Sequence, residues 1–344
     1  MAEPPGLELV PQIEREVGSS PSGATTRPLE YLPVALFGSV MGLSGLSVAW
    51  RLAAGRYAAP DWVANAIAVL AVLAFAAVGT AYLVKAVAAP DAVRAEFHHP
   101  IAGNLFGTMI ISLLLLPIVL APVALRLARG MWIVGVVLML GFAWLIIDRW
   151  MGNRQQVEQA TPAWIVPVVG LLDVPLALPG LGLPPLHELM VGCVAIGLFF
   201  AVPLFTMIFT RLLFETPLPD ALQPTLLILV APFAVGFSAY VATTGSVDIF
   251  AEALYALTLF ILTVLLGRLR LLGRCCPFRV SWWAVSFPLA ASAATAVRFA
   301  DARPGLFTDA VAMAVLALAS AVIAGLLVRT LLGVARGELR TLSS

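Results

Sequence analysis

The sequence predicts an all-α integral membrane protein in which ten helices cross the bilayer. Of its 344 residues, 61% are apolar and only 11% are charged, and the mean hydropathy is +1.00. A soluble domain of this size needs more polar residues to cover its surface. The charges also cluster between apolar runs of about twenty residues, the length at which a helix crosses a hydrocarbon core about 30 Å thick.

Ten apolar runs are expected to form the membrane-spanning helices. They cover residues 32–51, 62–87, 101–122, 126–147, 164–181, 186–210, 224–244, 249–267, 278–298 and 306–328. Residues 1–30 are rich in Pro, Gly, Ser, Thr and Glu, which predicts a disordered cytoplasmic tail without a cleavable signal peptide. The membrane domain then covers residues 31–330, and residues 331–344 form a short cytoplasmic tail.

The Lys and Arg residues predict the orientation in the membrane. An even number of spans puts both termini on one side, and that side receives fourteen of the twenty basic residues. The opposite side receives the remaining six, namely Arg51, Arg56, Arg126, Arg129, Arg298 and Arg303. Because basic loops stay in the cytoplasm, both termini are expected there, in a plasma (inner) membrane protein.

Prolines distinguish the odd-numbered runs from the even-numbered ones. Among the even runs only the sixth contains a proline, Pro203, whereas each odd run has at least one: Pro33, Pro117, Pro167, Pro175, Pro232 and Pro288. A proline survives in a membrane helix where its freed carbonyl meets a neighbour, water or a cavity. The alternation therefore predicts five helical hairpins, whose odd helices are the candidates for lining a shared central space.

The ninth run contains one bulky ring on a stripe of small residues. Ala284, Ala291 and Ala294 share a helical face with Phe287, and Pro288 removes the backbone hydrogen bond to the carbonyl of Ala284. Such a ring is typical of a plug in a narrow tube, although simple packing between helices explains it equally well. In the first run, Gly38 and Gly42 have the spacing that permits close approach of two helices, and they serve either packing or a pore.

Four segments resemble the tellurite-resistance/dicarboxylate transporter family, which includes the plant slow-type anion channels and their bacterial homologues. They are LFGSVMGLSGLSVAW (36–50), EFHHP (96–100) followed by Asn104, PAWIVPVVG (162–170) and WWAVSFP (282–288). The resemblance covers residues 28–335.

The resemblance implies quasi-five-fold symmetry of the five hairpins, a central pore within each subunit and assembly into a homotrimer. It also implies that a phenylalanine of the ninth helix occludes the pore, and that position falls on Phe287. The other expected pore-lining or kink residues are Pro288, Ala284, Ala291, Ala294, Gly38, Gly42, Pro33, Pro117, Pro175 and Pro232.

Asp173 is the exceptional ionisable residue of the apolar runs. It lies about ten residues into the fifth run, roughly 15 Å deep at 1.5 Å per residue. A carboxyl group at that depth is costly and suggests a function. Three interpretations stay open: a protonated group, a hydrogen bond to a neighbouring helix, or coupling of protons to transport. Glu252, near the end of its span, is expected to form an interfacial or interhelical contact.

The chain lacks the residues that an enzyme would need. His98 and His99 are adjacent, so on a helix they point about 100° apart and do not readily share one metal ion. They are expected to orient the loop beside Glu96, with pH sensing as the alternative. No cofactor, metal or nucleic acid is expected, and the predicted partners are small anions, the lipid bilayer and copies of the chain.

The sequence therefore predicts a gated channel for small monovalent anions such as chloride or nitrate. Selectivity would follow the cost of removing water from the ion, with cytoplasmic arginines concentrating anions at the mouth. The alternative is a carrier of dicarboxylates, sulfite or tellurite-like oxyanions, proton-coupled or uncoupled. A carrier needs convergent polar groups near the midplane, and the ninth run offers only Ser286, Ser292 and Thr295. A sensor with a vestigial pore is a third possibility, disfavoured because no output domain is visible.

Overall fold

The computed structural model describes residues 28–152, 154–184, 186–275 and 278–343, with the side chains of 269–275 outside that description. It confirms an all-helical chain with ten helices long and apolar enough to cross a membrane, and the described residues contain no strand. The odd-numbered spans are Val34–Tyr57, Ala102–Leu120, Pro162–Leu181, Asp220–Thr244 and Val280–Ala302. The even-numbered spans are Asp61–Ala88, Leu125–Gly152, His187–Phe214, Ile249–Cys275 and Leu306–Ala335. The expected tail 1–30 lies outside the described residues apart from 28–30.

The odd spans form an inner layer and the even spans an outer one. Between 72% and 83% of the apolar stretch of each odd span is buried, against 22% to 39% in the even spans. Each odd span contacts the odd spans before and after it, and span nine contacts span one, so the inner layer is a closed ring. The odd spans, which the prolines distinguish in the sequence, are therefore the inner spans of the fold.

The even spans cover the grooves of this ring. Each one packs against the odd span that precedes it in its hairpin and also against the next odd span of the ring, which for span ten is span one. Their outward faces expose large apolar side chains such as Trp62, Leu73, Phe199 and Phe260. An apolar outer surface of this kind is suited to contact with lipid or with another subunit.

Every odd span contains 3₁₀-helix before or between its α-helical segments, a feature that the sequence analysis did not predict. The 3₁₀ segments are Val34–Phe37, Ala102–Leu105, Pro162–Ile165, Gly170–Asp173, Asp220–Val230 and Val280–Val285. A 3₁₀-helix places side chains i and i+3 above one another. A row of residues spaced by three can therefore face the centre of the ring from each of these segments.

Two short α-helices lie outside the ten spans. Pro90–His98 follows span two, and Leu339–Ser343 follows span ten, with Leu342 buried against the end of the molecule where the odd spans begin. The first was hidden in the sequence because its composition, PDAVRAEFH, is polar and reads as a loop.

A buried ion pair fixes the start of span one. The Lys85 ammonium lies 2.7 Å from a carboxylate oxygen of Glu96 and donates to the Leu32 carbonyl at 2.6 Å. The other carboxylate oxygen of Glu96 accepts from the Val34 amide at 2.7 Å, and the Tyr82 hydroxyl donates to the first. These charge-assisted bonds link the end of span two and helix Pro90–His98 to the entry of span one.

Glycines allow spans one and nine to approach closely. A side chain at Gly42 would collide with Ser286, and a Cβ at Gly45 would lie 3.0 Å from the Cβ of Ala290. The Ser286 hydroxyl lies 3.1 Å from the Gly38 carbonyl oxygen and donates to the Trp283 carbonyl at 2.7 Å. This contact joins the first and last members of the inner ring.

We expect Gly42→Ala to destabilise the protein by about 1–3 kcal/mol, because the added methyl group overpacks the contact with Ser286. Gly55→Ala is the matched control, since Gly55 lies in the same helix and has open space around it. There the substitution should be neutral or stabilising by up to about 1 kcal/mol. Thermal unfolding in detergent measures both, and equal melting temperatures for the two variants would contradict the packing role of Gly42.

Candidate functional site

Two cavities lie inside the ring, and residues from all five odd spans line each of them. The first has a volume of about 100 Å³ and is surrounded by the N-terminal halves of the spans; its lining includes Ala35, Thr108, Asp173, Thr225 and Phe287. The second has a volume of about 30 Å³ and is surrounded by the C-terminal halves; its lining includes Gly45, Leu115, Leu176, Val235 and Ala291. They are called here the N-terminal cavity and the C-terminal cavity.

Phe287 borders both cavities. Val235 is the other residue that does so among the described residues. The Phe287 side chain is 8% exposed, and its ring packs beside Gly45, where a Cβ would lie 3.5 Å from Cδ2. Unlike a ring enclosed on every side, such as the fully buried Phe237, this ring has empty volume above and below it.

The alanine stripe extends from Phe287 into both cavities. Ala284 and Pro288 line the N-terminal cavity, whereas Ala291 and Ala294 line the C-terminal cavity. The structure thus brings Phe287, Pro288 and the three alanines to the cavities, whereas Ser286, Ser292 and Thr295 of the same run line neither. The spacing of three between Ala284 and Phe287 corresponds to the 3₁₀ segment Val280–Val285, which passes into α-helix at Ser286.

The other four predicted prolines line neither cavity. Pro33 immediately precedes the 3₁₀ segment of span one, and Pro117 lies inside the α-helix of span three. Pro175 and Pro232 are each the second residue of an α-helical segment, where the missing amide hydrogen costs no helical hydrogen bond. These two mark the change from 3₁₀ to α-helix in spans five and seven.

The two predicted glycines have different positions. Gly38 lines the N-terminal cavity and also approaches Trp283, since a Cβ there would lie 3.5 Å from the Trp283 carbonyl oxygen. Gly42 faces Ser286 in the helix contact and does not belong to the lining of either cavity.

Asp173 lies in the wall of the N-terminal cavity. It is 1% exposed, and its Oδ1 has no hydrogen-bond partner in the described part of the chain. The hydroxyl groups of Thr108 and Thr225 in the same wall donate to backbone carbonyls of their own helices, at 2.7 Å to Leu105 and 2.6 Å to Leu222. The sequence left open a hydrogen bond between this carboxyl group and a neighbouring helix. Oδ1 forms no such bond with the described residues.

Arg298 is a cavity residue that the sequence analysis counted only as a loop charge. It lines the C-terminal cavity together with Ser238, and the rest of that wall is apolar. Extending the stripe Phe287, Ala291 and Ala294 by one further turn would have reached it. The sequence signal was therefore present.

The histidines orient the loop before span three. The Nδ1 atom of His99 accepts hydrogen bonds from the amides of Ile101 and Ala102, at 3.2 Å and 3.1 Å. The Nδ1 atom of His98 lies 2.8 Å from the Arg94 carbonyl oxygen. Glu252 forms an ion pair with Arg303 at 2.8 Å, which is the interhelical contact expected of it. The structure describes no group of three His, Cys, Asp or Glu residues arranged to hold a metal ion.

A family model described as voltage-dependent anion channel, SLAC1, matches residues 31–331. The chain is 29% identical to the S-type anion channel SLAH3 of Arabidopsis thaliana over 311 residues, which cover 87% of this chain and 48% of the relative. It is 23% identical to the guard cell S-type anion channel SLAC1 of the same plant over 312 residues, covering 87% and 55%. The chain therefore spans about half the length of these plant relatives.

A bacterial relative is similar over most of its length. The tellurite resistance protein TehA homolog of Haemophilus influenzae is 27% identical over 284 residues, which cover 80% of this chain and 83% of the relative.

Proposed function

The chain belongs to the SLAC1 family of voltage-dependent anion channels, and from that premise we propose that it is a gated channel for small monovalent anions such as chloride and nitrate. The proposed path runs through both cavities, and the Phe287 ring closes it. The observation that carries this proposal is the position of one bulky side chain between two cavities that the same five helices enclose. Movement of that ring into a neighbouring space would join the cavities.

The walls of the path suit conduction better than tight binding of a large substrate. The lining of the N-terminal cavity is apolar apart from Thr108, Asp173, Thr225, Ser281 and Trp283, and that of the C-terminal cavity is apolar apart from Ser238 and Arg298. Because most of the wall is apolar, selectivity would follow the cost of dehydrating the ion. Large, weakly hydrated anions should then pass more readily than small ones.

The proposed orientation puts both termini and the N-terminal cavity on the cytoplasmic side of the plasma (inner) membrane. Arginines of the cytoplasmic loops would then raise the local anion concentration at the N-terminal mouth. The asymmetry of fourteen basic residues against six supports this orientation.

Phe287→Ala should raise basal anion conductance by at least about ten-fold, which corresponds to lowering the barrier by about 1.4 kcal/mol. Phe287→Leu fills part of the same volume and should give an intermediate current. The loss of stability should fall below the ~3–5 kcal/mol of a packed Phe→Ala substitution, because the ring already faces empty space. Currents in planar bilayers and thermal unfolding in detergent measure the two effects.

Phe237→Ala is the matched control for this experiment. Phe237 is fully buried in span seven and packs against the stacked rings of Tyr255 and Phe299, and neither cavity includes it. Its removal should cost the full packing energy without any gain of current. If Phe287→Ala instead folds normally and stays as silent as the parent, the closure lies elsewhere.

A carrier for dicarboxylates, sulfite or tellurite-like oxyanions is the second candidate. The unpartnered carboxyl group of Asp173 in the cavity wall favours it, because such a group is suited to exchange protons during transport. A proton-coupled carrier would move its substrate in response to a pH gradient alone.

The channel proposal predicts that Asp173→Asn leaves anion conductance and its pH dependence close to those of the parent. Asn keeps the size and hydrogen-bonding capacity of the side chain while removing its charge. Reversal potentials in liposomes under chloride and malate gradients, with and without a pH gradient, provide the measurement. Uptake that is driven by pH in the parent and lost in a correctly folded Asp173→Asn variant would favour the carrier instead.

We expect the protein to be a homotrimer in mild detergent. The exposed apolar faces of the even spans supply enough surface for both lipid and subunit contacts. Native mass measurement should give three times the 36.3 kDa of one chain. A stable monomer that still conducts would exclude the trimer as a requirement.

A further inference from the structure

We propose that Arg298, assisted by Ser238, forms an anion-binding site in the C-terminal cavity, specific for small monovalent anions. This inference rests on the proposed channel function and adds to it a site at which the ion binds along the path. Loop arginines account for attraction of anions to the opposite mouth and do not provide such a site.

Arg298 has no partner for its charge among the described residues. It is half-buried, and it forms no hydrogen bond or ion pair with any described residue. Three carboxylates at this end of the molecule have other partners: Glu252 pairs with Arg303, Asp309 pairs with Arg56 and Tyr57, and Asp248 accepts from Tyr240. The other three, Asp61, Glu188 and Asp301, are exposed and form no ion pair with Arg298. A partly buried guanidinium group without a counter-charge is costly, and a bound anion would offset that cost.

The surroundings of Arg298 would strengthen its attraction for an anion. Apart from Arg298 and Ser238, the C-terminal cavity is lined by Gly, Ala, Val, Leu, Ile and Phe side chains. An apolar wall lowers the local dielectric constant and so increases the Coulomb energy between the guanidinium group and an ion. No carboxylate belongs to this lining.

Ser238 can supply a second donor. The Thr295 hydroxyl donates to the Ala234 carbonyl at 2.7 Å, so its proton is already used. The Ser238 hydroxyl lies 3.3 Å from the Thr295 oxygen, which is a long contact for two hydroxyl groups. Turning the Ser238 hydroxyl toward the cavity would break only this long contact. It would give the anion one O–H donor beside the guanidinium N–H donors.

The size of the cavity selects the class of ligand. A volume of about 30 Å³ holds roughly two water molecules, since about 10–15 Å³ suffices for one. Chloride or nitrate fits such a space after losing most of its water, and a single guanidinium group matches a single negative charge. Arg298 and Phe287 also line the same cavity, so an ion at Arg298 would lie on the C-terminal side of the ring.

The test compares variants in a Phe287→Ala background, in which the proposed closure is removed. Arg298→Gln should raise the half-saturating chloride concentration for conductance by at least about ten-fold, as expected for loss of a hydrogen bond to a charged group. Arg298→Lys keeps the charge and should stay closer to the parent. Arg303→Gln is the matched control, because Arg303 lies nearby at the same end but is exposed and paired with Glu252; it should change the value little.

A second readout does not depend on an open path. In detergent, nitrate should raise the melting temperature of the parent and of Arg298→Lys relative to gluconate, and it should not do so for Arg298→Gln. If Arg298→Gln does not fold, Arg298→Met and Ser238→Ala replace it in both measurements. An unchanged half-saturating concentration together with an unchanged nitrate effect would overturn the site.

Failure of the two proposals can be told apart. If Phe287→Ala passes no anion current, the channel function fails before Arg298 is tested. If Phe287→Ala conducts and Arg298→Gln conducts with the same chloride dependence, the channel function stands and the binding site is excluded. Equal saturation by chloride and malate would also exclude a site limited to small monovalent anions.

Discussion

The contact between spans one and nine closes the inner ring, and both cavities depend on it. The two spans are far apart in sequence, yet Gly42 and Ser286 bring their backbones together, and the Ser286 hydroxyl lies 3.1 Å from the Gly38 carbonyl oxygen. The same contact places the Phe287 ring beside Gly45. A larger residue at Gly42 or Gly45 would push span nine outward and change the space around the Phe287 ring.

Much of this architecture could be predicted from the sequence because a membrane restricts the possible structures so strongly. Run length identified the ten spans, and the distribution of prolines identified the five that lie inside. In the structure a helix-interior proline with a freed carbonyl is Pro117, whereas Pro175 and Pro232 stand where 3₁₀-helix changes to α-helix. The pairing of Phe287 with Ala284, Ala291 and Ala294 followed from helical spacing alone.

The rest depends on contacts between distant residues. Helix Pro90–His98 was not predicted, because its sequence is polar. Its Glu96 is held by distant groups, the buried Lys85 ammonium and the Val34 amide. The 3₁₀ segments have no distinct hydrophobic pattern, so run length could not reveal them. Arg298 resembled a loop residue because charge counts give its approximate depth and not the direction of its side chain.

The two ionisable residues of the cavities lie in different cavities. Asp173 lies in the N-terminal cavity and Arg298 in the C-terminal cavity, and the ring borders both. Asp173 and Arg298 form no ion pair with each other, so the guanidinium group keeps its charge for an anion. In the proposed channel, an anion held at Arg298 would lie on the C-terminal side of the closed ring, in the cavity from which it would cross once the ring moves.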